Sequence, residues 1–302
     1  MNKIKLLTNE QLHSNVEKWK WNKANVSNFL KTNFYLSIKD IALMGILMGL
    51  YLIVAALVNY TLIGVTRINF DYLFFILIGI IFGPFKGAFW AIFADTFSLL
   101  LTGRIAFWLI HYAITPPLIA IISYFFFLLY RNKNDKLFVI PFSLSIVSLA
   151  SVFAVFSLGW IRNNLKIDGL NGQVTFFAIL AISLISVTVI FINIFCFLKY
   201  IRTGKNIYKR IIYILALIIF IKIFARWLWG PIAFIEYYNV FLAKGRVPFT
   251  LQRNFPIISL RIILKSALVI PLFTLLIIPL VDVTKLLQKK YFYKYDYSNS
   301  YI

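Results

Sequence analysis

Followed position by position, the chain alternates long apolar runs with short polar breaks. The runs cover 41–63, 71–83, 87–101, 107–130, 137–161, 174–198, 209–231 and 258–282. Most are long enough for a helix to cross a hydrocarbon layer of about 30 Å at roughly 1.5 Å per residue. The second and third are the exceptions. They flank Gly83-Pro84 in the stretch GIIFGPFKGAFWAIFAD, residues 79–95. Joined as one helix, 71–101 would be about 46 Å long, too much for a single span, whereas each half covers only roughly 20 Å. The pattern predicts a tight helical hairpin that turns at Gly83-Pro84. Helices this short are tolerated at membrane depth only where protein or a water-filled cavity covers their backbone ends.

Composition agrees. Of 302 residues 61% are hydrophobic and 14% charged, which places the chain among all-α integral membrane proteins. The net charge of +21 raises the question of nucleic acid, and the placement of the charges answers it. With eight segments and an internal N-terminus, 20 of the Lys and Arg residues fall on the inner face and seven on the outer. That asymmetry follows the positive-inside rule. The expected topology is eight helices with both tails cytoplasmic, and no nucleic-acid partner is expected because no basic patch with stacking aromatics lies in a soluble domain. The first forty residues are polar, so the first span is expected to direct insertion. Their Lys/Trp mixture suits a leader anchored by interfacial Trp or a helix lying on the membrane surface, with Ser14 and Glu17 spaced as a capping box.

Four basic residues are left over: Lys222, Arg226, Arg261 and Lys265 lie inside apolar runs. Each costs about 2.5–3.5 kcal/mol at the bilayer centre, so they are expected to face water, a partner or a ligand. Each pair is spaced by four, hence on one helical face, and Trp229 stands three residues beyond Arg226. Together they suggest a cationic, aromatic-edged site open to the outside, suited to an anionic molecule with a planar part. The alternative is snorkelling of the long side chains to the interface. Asp95 is the carboxylate deepest in a run, and with His111 it suggests either a structural tie or a proton relay. No motif for nucleotide binding, metal binding or acyl transfer is present, and one cysteine, Cys196, excludes a disulfide framework. No cofactor or metal is expected, and no enzymatic activity. In the first run Gly45 and Gly49, with Ala42 on the adjoining face, form a small-residue surface on which another helix can approach closely.

RINFDYLFFILIGIIFGPFKGAFWAIFAD resembles the substrate-binding (S) components of energy-coupling factor (ECF) transporters, where Gly-x-x-x-Gly-Pro precedes a Gly and then an Asp. The matching positions are Gly79, Gly83, Pro84, Gly87 and Asp95. RWLWGPIAFIEYY and FPIISLRIILKSALVIPLFTLLIIPL resemble the last two helices of the folate-type branch, with Arg261, Lys265 and Pro271 in its Arg-x-x-x-Lys and Pro places. Leu73 and Phe74 stand where a proline is usual, Ala91 where a glycine is usual, and eight helices replace six. The resemblance implies a six-helix bundle with an inserted pair: a leader over 1–40, four core helices over 41–130, the insertion and its loop over 131–208, two core helices over 209–285, and a tail over 286–302. It also implies that the chain captures an anionic, folate-like vitamin in the cell membrane, with Arg226, Trp229, Arg261, Lys265, Lys222 and Arg67 in contact with it. Release into the cell would need a membrane coupling (T) subunit, docked on Ala42, Gly45 and Gly49, and a pair of ABC-type ATPases. A stand-alone proton-coupled transporter of organic anions, and an intramembrane enzyme on lipid-linked substrates, are the other readings the residues leave open.

Overall fold

A computed structural model describes residue 34 and residues 36–60, 70–131, 135–162, 172–243 and 247–287. Among them the structure is helical, without strands, and the eight expected runs all appear as helical segments in order. The helices are α1 (Ile38–Tyr60), α2 (Asp71–Phe82), α3 (Pro84–Leu101), α4 (Ile110–Ala113), α5 (Thr115–Arg131), α6 (Val139–Arg162), α7 (Gly172–Thr203), α8 (Asn206–Ile221), α9 (Trp229–Tyr237) and α10 (Leu251–Leu287). A π-helical turn over Lys222–Leu228 joins α8 to α9, so that Asn206–Leu242 runs as one continuous 37-residue span. By length and composition, Ile38–Val58, Ile110–Arg131, Ile182–Thr203 and Asn206–Leu242 can each cross a membrane. The two arms of α10, inclined at 49° to one another, pass as a fifth span when counted as one. That bend falls just ahead of Pro271, whose ring cannot continue the preceding turn's hydrogen bonds.

The bundle is layered around α2 and α8. Every residue from Tyr72 to Phe82 is buried, and α8 is buried from Ile212 through Ile219. Helices apolar on all sides belong at the centre of such a protein. The outer helices keep an apolar face turned outward instead: Ile46, Leu50, Ile53 and Leu57 on α1, and Leu184, Val187, Phe191 and Leu198 on α7, are exposed. Surfaces this greasy are covered by lipid, and the protein is a multi-pass membrane protein.

The hairpin forms where the sequence places it. α2 ends at Phe82, α3 begins at Pro84, and Gly83 between them has φ 86°, a left-handed conformation that glycine adopts at little cost. Proline at the first helical position gives up only an N–H that has no partner there. The other glycines allow close approach. A Cβ on Gly79 would fall 2.2 Å from the carbonyl oxygen of Ala120 on α5, and one on Gly87 would fall 3.0 Å from the Gly79 Cα. Ala91 and Ala94, both fully buried, continue that small-residue face along α3. The glycine spacing is therefore a packing requirement of α2, α3 and α5.

The end of the bundle that holds this turn is closed by ion pairs. Ser37 and Asp40 form a reciprocal cap at the start of α1, each backbone N–H donating to the other's side chain at 3.1 Å. Lys86 Nζ, in the hairpin turn, donates to Asp40 Oδ2 at 3.0 Å. Arg210 at the start of α8 pairs with Asp282 near the end of α10. α6 and α7 pack on each other and on α8. The leader over 1–33, the tail over 288–302 and the loop over 61–69, which includes Arg67, lie outside the described residues.

Candidate functional site

At the opposite end of the bundle, polar side chains from five helical segments converge inside an apolar shell. The π-helical turn over Lys222–Leu228 supplies two of them. In it the Trp229 N–H reaches back five residues to the Phe224 carbonyl, a widened turn of the kind that often marks functional positions. Lys222 is 5% exposed, and its ammonium lies 4.5 Å from the Phe273 ring centroid and 4.9 Å from that of Tyr72. Two aromatic faces thus take over part of the role of water around this charge. Arg226, one turn on, lies beside the Tyr72 hydroxyl and within electrostatic reach of Tyr112. Asp71, the first residue of α2, faces both cations and lies beside Tyr51 of α1. Tyr51 lies in turn beside Ser98 of α3, and Asp95 of α3 stands near Asp71.

Aromatic residues form the rim. Trp229 Nε1 donates to the His111 carbonyl at 2.6 Å, and the two rings stack with centroids 6.0 Å apart. The His111 Nδ1 is buried without a hydrogen-bond partner among the described residues. Tyr112 and Tyr237 meet edge to face, and Phe107 packs on Tyr237 and Phe241. Trp227 anchors the π turn to α10 by donating from Nε1 to Ser266 Oγ at 2.9 Å.

Of the predicted residues, the structure thus brings Lys222, Arg226 and Trp229 together, with His111 at the rim and Asp95 on the α3 side. No hydrogen bond or ion pair joins Asp95 to His111 among the described residues. Arg261 and Lys265 lie on the exposed face of α10 beside Leu264, while Leu260, Ile263 and Ser266 form its buried face. They are not among the charges acting on Lys222. Ala42 and Gly45 are exposed, Gly49 is half-buried, and a Cβ on either glycine would meet nothing within 4 Å.

One carboxylate here carries more weight than its sequence position suggested. Asp71 begins a helix and reads as a helix-end acid, yet it is the nearest counter-charge to Lys222 and Arg226. The cations therefore have Asp71, and behind it Asp95, to balance them. No group of three or more His, Cys, Asp or Glu residues suited to a metal ion occurs among the described residues.

The arrangement defines a multi-pass α-helical membrane protein with a buried cluster of polar side chains edged by aromatic rings. Residues 35–157 match the family model of the ECF-type riboflavin transporter, S component. The S-component resemblance is therefore shown over α1 to α5 and most of α6, on the stretch that carries Gly79, Gly83, Pro84, Gly87 and Asp95. The branch is corrected: the matching family is the riboflavin type, not the folate type. The folate-like motif rested on Arg261 and Lys265, which lie on the exposed face of α10, beyond the matched stretch. No curated protein and no solved structure matches the chain.

Proposed function

We propose that the chain is the membrane-embedded binding subunit of an ECF-type importer, and that its ligand is a planar, uncharged heteroaromatic vitamin of the riboflavin kind. The observation that carries this reading is the polar cluster around Lys222. Its cations already face carboxylates, so a ligand need not bring negative charge, and its rim of Trp229, His111, Tyr112 and Tyr237 suits stacking on a flat ring system. Lys222 and Arg226 donate to ring carbonyls, while Asp71 and the free His111 Nδ1 accept from or donate to ring nitrogens and hydroxyls. Arg261 and Lys265 serve the outer approach. Arg67, four positions before Asp71 in the chain, is a further candidate contact for the ligand.

A T subunit docks on the open face formed by Ala42, Gly45 and Gly49, and a pair of ABC-type ATPases supplies the energy. The chain sits in the cell membrane with both termini inside.

Titration of the purified full chain with riboflavin, followed by quenching of flavin fluorescence, tests the ligand. Saturable quenching that Lys222→Met weakens by about 2 kcal/mol, roughly thirtyfold, is expected. No quenching, or equal quenching by the variant, overturns the reading. Gly45→Leu with Gly49→Leu is expected to keep flavin binding and to lose co-purification with the coupling subunit. Uptake that persists without any ATPase and follows the proton gradient would instead select a stand-alone transporter.

A further inference from the structure

Helix α9 is bracketed by two widened turns. The π turn over Lys222–Leu228 leads into it, and a second, over Tyr238–Leu242, leads out. The second is closed by the Ala243 N–H, which donates to the Tyr238 carbonyl five residues back at 2.8 Å. Such turns interrupt the α-helical ladder and occur frequently at functional sites. The nine residues between them form a short rigid piece with a rim residue at each end, Trp229 at one and Tyr237 at the other.

On one side α9 rests on the rim, where Trp229 bonds the His111 carbonyl and Tyr237 meets Tyr112 and Phe107. On the other side a strap ahead of α10 holds it. Asn239, two positions beyond Tyr237, turns its side chain to Phe249. Its Nδ2 donates to the Phe249 carbonyl at 2.9 Å, and the Phe249 N–H donates to its Oδ1 at 2.8 Å. A primary amide carries donor and acceptor side by side, so Asn239 engages both backbone groups of one residue as a neighbouring strand would. The Tyr238 and Phe249 rings stack with centroids 3.7 Å apart, and the Asn254 side chain accepts from the Thr250 N–H at 3.0 Å. The strap itself buries little, since Val247, Pro248 and Thr250 are exposed. Segments with few buried apolar contacts open at low cost.

We propose that Asn239 is a positioning residue that latches α9 to α10, and that its release lets α9 rock about its two π turns and carry Tyr237 off Tyr112. Asn239 acts through Tyr237. The event that the latch times is exchange of ligand at the rim, which rests on the vitamin-binding reading; the rocking of α9 does not.

Two measurements on the full chain in detergent separate these claims. Without ligand, hydrogen–deuterium exchange read by mass spectrometry compares the parent chain with Asn239→Ala. Faster exchange is expected at 247–254 and also at 105–113, across the rim. A merely local clamp would speed 247–254 alone, and that result overturns the proposal. With riboflavin, stopped-flow fluorescence is expected to show faster association and faster dissociation, the latter by about tenfold for the lost pair of bonds. Asn239→Asp keeps the acceptor for the Phe249 N–H and loses the donor, so its rates are expected to fall between. Asp40→Ala, at the far end of the bundle, is expected to leave both rates as in the parent, which separates loss of the latch from general instability. Should Asn239→Ala fail to fold, Asn239→Asp carries both measurements. Unchanged dissociation, or faster dissociation with unchanged association, overturns the latch. Absence of flavin quenching in the parent chain sinks the vitamin-binding reading alone, and the exchange comparison then decides the latch.

Discussion

Gly79 shows how far one hydrogen atom can govern this membrane protein. Its missing side chain lets α2 lie against the backbone of α5, where any Cβ would meet Ala120 at 2.2 Å. Gly79→Ala is therefore expected to lower stability by about 1–3 kcal/mol through forced backbone movement. Gly45→Ala serves as its control, because nothing lies within 4 Å of a Cβ there and the helix gains from losing a glycine. Thermal unfolding of the two variants in the same detergent checks both, and a Gly79 variant as stable as the Gly45 variant would refute the packing account. The hairpin glycines were legible because Gly-x-x-x-Gly-Pro combines a spacing with a turn. The role of Asp71 was not. A carboxylate at a helix start is ordinarily an end-of-span residue, and only the crossing of α2 with the π turn brings Lys222 and Arg226 to it.

Among the elements, α1 is the most exposed of the long helices and is held at its start by one acidic side chain. Asp40 both caps the helix and receives Lys86 from the hairpin turn. Asp40→Asn keeps a capping oxygen and removes the charge, so it separates the two roles. It is expected to cost about 1 kcal/mol or less, whereas Asp40→Ala costs more. A double-mutant cycle with Lys86→Met measures the pair, and additive losses would show that the two residues do not interact. Such a link is invisible in one dimension, since it joins two helix starts 46 residues apart. The existence and order of the eight helical segments were legible because long apolar runs set them. The π turn was not, since KIFARWL has nothing in its composition to distinguish it from an α-helical stretch.

For the molecule as a whole, the two ends differ in character. One carries Lys86, Arg131, Lys205, Lys209 and Arg210 with the paired acids Asp40 and Asp282, while the other carries the polar cluster of Lys222, Arg226 and Asp71. If the basic end faces the cytoplasm, cysteines placed singly at Lys205 and at Arg253, in a chain with Cys196→Ala, label from opposite sides of sealed vesicles. The cysteine at Arg253 is expected to react with an impermeant reagent added outside whole cells and the one at Lys205 only after permeabilisation. The reverse result would invert the topology. Charge asymmetry along the sequence is what predicts this orientation. What it could not supply was the pairing inside the membrane. Four interior cations were plain to see, but α10 turns Arg261 and Lys265 to its exposed face and leaves Lys222 and Arg226 to the carboxylates.

The wide turn at Lys222–Leu228 has a bearing on how such a protein can change over generations. It holds one residue more than an α-helical stretch of the same rise, and each residue of an α-helix swings its successors through about 100°. Losing a single codon there would let the backbone close into ordinary geometry and rotate the following segment away. Arg226 and Trp229 would turn away from Tyr72 and His111 while the span kept its length and its greasy exterior. The polar cluster can thus be dismantled, or rearranged, by a change that insertion into the bilayer would scarcely register.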